Sequence, residues 1–185
     1  MTTKMVFHGS DIEKICDYYH LNKEDIVKFG ANVNPLGLSA SVKKGIAENV
    51  DLFSSYPDRD YVSLRNTISE YCRIPAEFIL PGNGSSELIS LLIQERAPKH
   101  TLILGPTYSE YSRELSFSGS TQEYYHLREE RNFTLDVEDL CKTLENGYDF
   151  LILCNPNNPT GISIDREFLF RVLRVCREMD ILLVV

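Results

Sequence analysis

Residues 149–161 read DFLILCNPNNPTG, and this stretch decides the fold. The apolar run from Phe150 through Leu151, Ile152 and Leu153 to Cys154 is too short for an ordinary helix and fits a strand buried on both faces. Directly after it, Asn155-Pro-Asn-Asn-Pro-Thr-Gly161 forms a turn stiffened by two X-Pro steps and lined with amide donors and acceptors. A rigid connection alone would explain such a turn, but its polarity at a strand exit marks it as a place to look for ligand chemistry.

Outward from this point the same rhythm repeats. Short segments at 78–80, 102–104, 123–126, 150–154 and 181–185 are expected as strands, and helices are expected to begin near Ser85, Thr107, Val137 and Arg166. Strands alternating with helices predict an α/β fold, a mostly parallel sheet with helices on both faces. In such a sheet ligands gather at the carboxyl ends of the strands, so the loops after Leu80, Leu104 and Cys154 are the candidate site. Residues 1–72 carry a different pattern. Ile12, Ile15, Cys16 and Tyr19 recur at helical spacing, residues 22–26 read as a short capped turn, and Ser39 caps a helix running to Asn49. Residues 56–59 read as a turn and 61–72 as a second amphipathic helix. We therefore expect a helical N-terminal segment, 1–72, followed by the α/β part, 73–185.

The composition is that of a globular chain: 185 residues, 43% hydrophobic and 25% charged, which excludes disorder and low-complexity filament. The formal net charge of -8 argues against nucleic acid and against an anionic membrane surface, while leaving room for a small anion held by local donors. No apolar run approaches the ~20 residues of a membrane span, and residues 1–8 lack the apolar core of a signal peptide. The five cysteines are scattered without a CxxC pair and the four histidines lack ligand spacing. Reduced thiols, a cytoplasmic setting and no metal site are expected.

Two further loops invite chemistry. Pro81-Gly-Asn-Gly-Ser-Ser-Glu87 opens a helix. Gly82 and Gly84 permit positive φ and close backbone approach, and Ser85 and Ser86 set hydroxyls beside the unpaired N–H groups of the first turn. Dipole, N–H groups and hydroxyls together suit an anion such as phosphate. A serine N-cap assisted by Glu87 is the simpler reading of the same residues. In Gly105-Pro-Thr-Tyr-Ser-Glu-Tyr111, Tyr108 stands just past a strand exit, where its ring either lies against a planar ligand or packs on the sheet edge.

Taken together, GNGSSE, GPTYSEY and NPNNPTG, in this order and spacing, resemble the large domain of fold-type I pyridoxal-phosphate (PLP) enzymes, the class I/II aminotransferase superfamily. The closer likeness is to the histidinol-phosphate aminotransferase group. Within it, His8-Gly9 and Ala31-Asn-Val-Asn-Pro-Leu-Gly37 resemble the threonine-phosphate decarboxylases of cobalamin biosynthesis, although Ser10 stands where those have a second glycine and Gly30 where they have serine. The resemblance covers essentially the whole chain. It implies that Gly84, Ser85 and Ser86 hold the phosphate of PLP, that Tyr108 stacks on the pyridine ring, and that Asn158 hydrogen-bonds the ring's phenolic oxygen. It also implies that Tyr56 reaches the cofactor phosphate of the other subunit of a homodimer. His8, Gly9 and Asn32 would meet a phosphorylated amino-acid or amine substrate, with Asn34 and Pro35 shaping that loop.

The same resemblance places the cofactor-bearing lysine, the Asp that pairs with the pyridine nitrogen and the arginines for the substrate carboxylate beyond residues 181–185. No catalytic residue is therefore expected in this chain, none of whose eight lysines sits in a suitable loop. The chain reads as the N-terminal portion of a longer PLP-dependent enzyme, inactive by itself, and threonine-phosphate decarboxylase-like or alternatively histidinol-phosphate aminotransferase-like. A naturally short, non-catalytic ligand-binding module is a further alternative. Nucleotide binding on a Rossmann-like sheet lacks both the P-loop and the GxGxxG fingerprint.

Overall fold

The computed structural model describes residues 11–27 and 33–185, which group into two compact units, one up to Arg59 and one from Asp60 to Val185. In the first unit, α1 (Ile12–Tyr19) buries Ile12 and is tied to the following 3-10 turn (Lys23–Asp25) by a Lys23–Glu13 ion pair. Helix α2 (Ala40–Glu48) starts at Ser39, whose hydroxyl accepts from the Val42 N–H at 3.3 Å, as expected of a serine N-cap. Asn34 closes the preceding turn on itself. Its Oδ1 accepts from the Leu36 N–H at 3.0 Å and its Nδ2 donates to the Gly37 carbonyl at 3.1 Å. The expected turn at 56–59 falls slightly later, at Arg59 and Asp60.

The second unit contains α3 (Val62–Cys72), α4 (Ser85–Arg96), β1 (His100–Gly105), α5 (Ser109–Ser118), β2 (Thr121–His126), α6 (Val137–Leu144), β3 (Phe150–Ile152), α7 (Arg166–Glu178) and β4 (Leu182–Val184). Position 72 lies within this unit, at the end of α3, where the Arg65 guanidinium donates to the Ala76 carbonyl at 2.7 and 3.1 Å. The four strands pair in parallel in the order β2-β1-β3-β4. Alternation along the strands sends Leu102, Leu104, Leu151 and Leu153 to one face, where α6 and α7 cover them with Leu140, Leu144, Val172 and Cys176. Ile103, Phe150 and Ile152 face the other way, against Ile93 of α4 and Leu115 of α5. Each fully buried side chain of this size contributes ~1.5–3 kcal/mol. Helices thus lie on both faces of a parallel sheet, as the alternation predicts.

One expected strand does not form. At 78–80 the chain instead follows a 3-10 turn (Ala76–Phe78), with the Phe78 N–H bonded to the Pro75 carbonyl at 3.0 Å and the Ile79 N–H to the Ala76 carbonyl at 3.2 Å. Phe78 and Leu80 are exposed. A strand needs a neighbour's ladder to satisfy its backbone, and none of the four strands pairs with this segment. Strand β3 is also shorter than expected, because Cys154 already belongs to the polar turn.

Topology places the site. β1 lies between β2 and β3, its connection to β2 runs through α5 on one face, and the return from β2 to β3 runs through α6 on the other. The connections therefore leave β1 and β3 in opposite directions, the arrangement in which ligands gather at the carboxyl ends of the two strands. No helix among the described residues is long and apolar enough to cross a membrane.

Toward the amino end of the sheet, Glu123 of β2 is hydrogen-bonded to His100 Nε2 at 2.9 Å and accepts from the Tyr148 hydroxyl at 2.8 Å. These bonds, His100's first, hold its carboxyl below the ordinary value of 4.5. A depressed acid contributes stability that is complete above its unfolded pKa and is lost as the pH falls through its folded pKa. Glu123→Gln is expected to melt at a lower temperature than wild type at neutral pH, with the gap closing as the pH is taken below 4.5. Thermal melts across that range check it, and a gap independent of pH would show that the carboxylate contributes nothing.

Candidate functional site

Three loops converge toward the carboxyl edge of the sheet. Helix α4 ends shortly before β1 begins, so it runs against β1 and turns its N-terminus toward that edge, while α5 starts there directly after β1. The start of α4 departs from the serine-cap reading. Gly84 is the N-cap residue, at φ +83, no side chain caps the first turn, and Ser85 and Ser86 are the first helical residues. Positive φ favours glycine at position 84, and a Cβ at Gly82 would sit 2.7 Å from the Leu88 side chain. The Glu87 carboxylate turns back to accept from the Asn83 N–H and fixes the loop over the helix start. With no capping side chain, the first-turn N–H groups are left for an anion. Ser85 is exposed and Ser86 half-buried beside them.

Tyr108 is the N-cap residue of α5, half-buried, with its ring edge-on to Tyr111 at a centroid distance of 5.7 Å. Burial, then a hydrogen bond with Cys154, hold the Tyr111 phenol well above the usual tyrosine range, so it stays protonated at physiological pH. Cys154 connects this aromatic pair to the turn after β3. Its Sγ accepts from the Asn158 N–H at 3.4 Å and lies 3.5 Å from the Pro156 carbonyl oxygen. The Asn158 side chain is exposed and makes no hydrogen bond within the described residues. Asn155 and Asn157 instead turn inward. Asn155 Oδ1 accepts from the Ile164 N–H at 2.8 Å, and Asn157 is buried and fully bonded.

The structure therefore brings Tyr108 and Asn158 to adjacent strand exits and directs the Gly84, Ser85 and Ser86 turn toward the same edge. Tyr56 lies in the first unit, fully exposed. His8, Gly9 and Asn32 lie outside the described residues. Sequence reasoning passed over Thr107, Tyr111, Cys154 and Asn157. The doubled asparagine was the available signal, since one of the pair is needed to hold the turn while the other presents its amide. An uncapped helix start, an aromatic face and an unbonded carboxamide form a donor set that fits the phosphate, ring and phenolic oxygen of PLP.

A model of the aminotransferase class I and II family matches residues 24–185. Threonine-phosphate decarboxylase of Salmonella typhimurium is 33% identical over 177 residues, 96% of this chain and 48% of that protein. The crystal structure of the histidinol-phosphate aminotransferase from Clostridium acetobutylicum superposes with a TM-score of 0.74 at 33% identity, over 83% of this chain and 44% of that one. Cystalysin from Treponema denticola, whose structure contains a pyridoxal 5'-phosphate cofactor, shares the fold at a TM-score of 0.66 and 18% identity, over 78% of this chain and 39% of that one. The chain spans half or less of the length of these relatives.

Replacing Ser85 and Ser86 together by alanine is expected to weaken PLP binding by about tenfold or more per hydroxyl, each charge-assisted hydrogen bond being worth ~1.5–3 kcal/mol. A visible-absorbance titration checks it. Unchanged affinity would place the phosphate elsewhere.

Proposed function

The chain belongs to the aminotransferase class I and II family, and from that premise we propose that it supplies the phosphate- and ring-binding side of a PLP site. The substrate is a phosphorylated amino acid or amine, and the reaction is that of a threonine-phosphate decarboxylase-like enzyme, as the likeness to the Salmonella protein supports. The observation that carries the reading is the uncapped start of α4, directed toward the sheet edge that also presents Tyr108 and the unbonded Asn158 carboxamide.

When bound, PLP provides an electron sink for bond breaking at the substrate's Cα. The chain's own residues bind and orient. The N–H groups of the α4 start, with Gly84, Ser85 and Ser86, hold the phosphate. The Tyr108 ring covers one face of the pyridine, and the Asn158 amide donates to its phenolic oxygen. His8, Gly9 and Asn32 meet the substrate, and the exposed Tyr56 serves the partner subunit of a homodimer. Neither lysine of the second unit takes the cofactor. Lys99 precedes β1 and Lys142 lies late in α6, both away from the carboxyl edge. The chain by itself thus binds without turnover, and its free thiols suit a cytoplasmic setting.

A second reading, a histidinol-phosphate aminotransferase-like transaminase, is favoured by the Clostridium structure, whose identity is equally 33%. Titrating the PLP-loaded chain with threonine phosphate, histidinol phosphate and their unphosphorylated forms separates the two. The phosphorylated forms are expected to bind, threonine phosphate more tightly. Equal binding of threonine would contradict the substrate class, and tighter histidinol phosphate would favour the transaminase. Borohydride reduction with peptide mapping is expected to label no single lysine. One specifically labelled lysine would contradict the claim that this chain is inactive alone.

A further inference from the structure

Asn157 is a buried polar residue, 7% exposed, in a turn whose neighbouring Asn158 is exposed. A buried carboxamide is tolerated when its donors and acceptor are satisfied, and those of Asn157 are. Nδ2 donates to the Pro106 carbonyl at 2.9 Å and to Thr160 Oγ1 at 2.9 Å, and Oδ1 accepts from Thr107 Oγ1 at 3.0 Å. Its backbone N–H donates to the Ile162 carbonyl at 2.9 Å, and its carbonyl accepts from the Gly161 N–H at 2.7 Å. Two of the three side-chain bonds reach across to the loop after β1, some 50 residues away in sequence.

The backbone does not supply this link. Pairing of β1 with β3 runs from Thr101–Phe150 to Ile103–Ile152 and stops there, while β1 continues to Gly105 only against β2. Leu153 bonds the Val184 carbonyl of β4 at 2.9 Å by the ordinary alternation of a strand, and no backbone hydrogen bond joins residues 104–108 to residues 153–161. Backbone pairing of the two strands therefore ends short of these loops, and the Asn157 side chain makes the link between them. Its contacts are the residues just before Tyr108, and it immediately precedes Asn158.

We propose that Asn157 is a positioning residue, a clasp that holds the 105–108 loop to the 155–161 loop and thereby fixes the Tyr108 ring relative to the Asn158 carboxamide. The role toward the cofactor rests on the proposed function, whereas the clasp itself does not. Asparagine suits the position because it alone offers both donors and the acceptor at this reach. Alanine leaves the Pro106 carbonyl and the Thr107 hydroxyl without their partner and takes from the Thr160 hydroxyl one of its two bonds. Aspartate would set an acceptor against the Pro106 carbonyl.

The test uses Asn157→Ala and the milder, shape-conserving Thr107→Val, with Asn158→Ala as control, in the 185-residue chain. Amide hydrogen exchange of the ligand-free chain is read at 105–111 and 155–162. Asn157→Ala is expected to speed exchange at 105–111, and Thr107→Val at 155–162, each in the loop that does not carry the substitution. Asn158→Ala is expected to change neither. Effects confined to the substituted loop would overturn the clasp, and if Asn157→Ala fails to fold, Thr107→Val decides. A PLP titration then reads positioning. Both variants are expected to raise Kd by about tenfold and to alter the visible circular-dichroism band per bound cofactor. A lower melting temperature with that band unchanged would reduce Asn157 to a structural role. Absence of PLP binding by wild type would overturn the proposed function and its cofactor role, while exchange still decides the clasp.

Discussion

Strands β1 and β3 are buried on both faces, and the rest of the second unit follows from that. Leu102, Leu104, Leu151 and Leu153 require helices on one side, and Ile103, Phe150 and Ile152 require them on the other. A chain that must cover both faces cannot add strands in one direction only. It places α5 on one face, returns through α6 on the other, and so reverses its direction across the sheet between β1 and β3. The switch in direction between these two strands is a consequence of burial before it is a feature of function.

Ligand chemistry then concentrates in what the two-sided core leaves uncovered. The strand exits carry residues unsuited to an apolar core: Pro106 and Thr107 after β1, and three asparagines and two prolines after β3. Each loop is rigid for its own reason. The α4 start is held by glycines that admit its close approach and by Glu87 folded onto Asn83. The other two are held to each other through Asn157. Rigid loops on a buried sheet direct an uncapped helix start, an aromatic ring and a carboxamide toward one edge, the preorganisation that the proposed site for a phosphorylated aromatic cofactor requires.

Much of this was legible in the sequence, because the apolar runs at 102–104 and 150–153 report burial directly. The Tyr and Asn loops were legible for the same reason, since each follows the strand that positions it, whereas the Gly loop is placed by α4, which it precedes. The run at 78–80 misled because apolarity signals burial without showing that a partner strand is at hand. The helix start at Ser85 was legible, but which residue caps it was not. Ser85 reads as a cap by composition, yet the positive φ at Gly84 moves the cap one residue earlier. Asn157 was not legible, since its partners Pro106 and Thr107 lie in a separate loop and become neighbours only when β1 and β3 pair.

The central claim is that three separate loops form one PLP-binding edge. Amide chemical-shift mapping of the isotope-labelled chain during addition of PLP tests it most directly. The account predicts shifts concentrated at 82–87, 105–108 and 154–161, saturating together with a single dissociation constant. Shifts centred at the amino end of the sheet around His100 and Glu123, or the three loops responding with different dissociation constants, would contradict it.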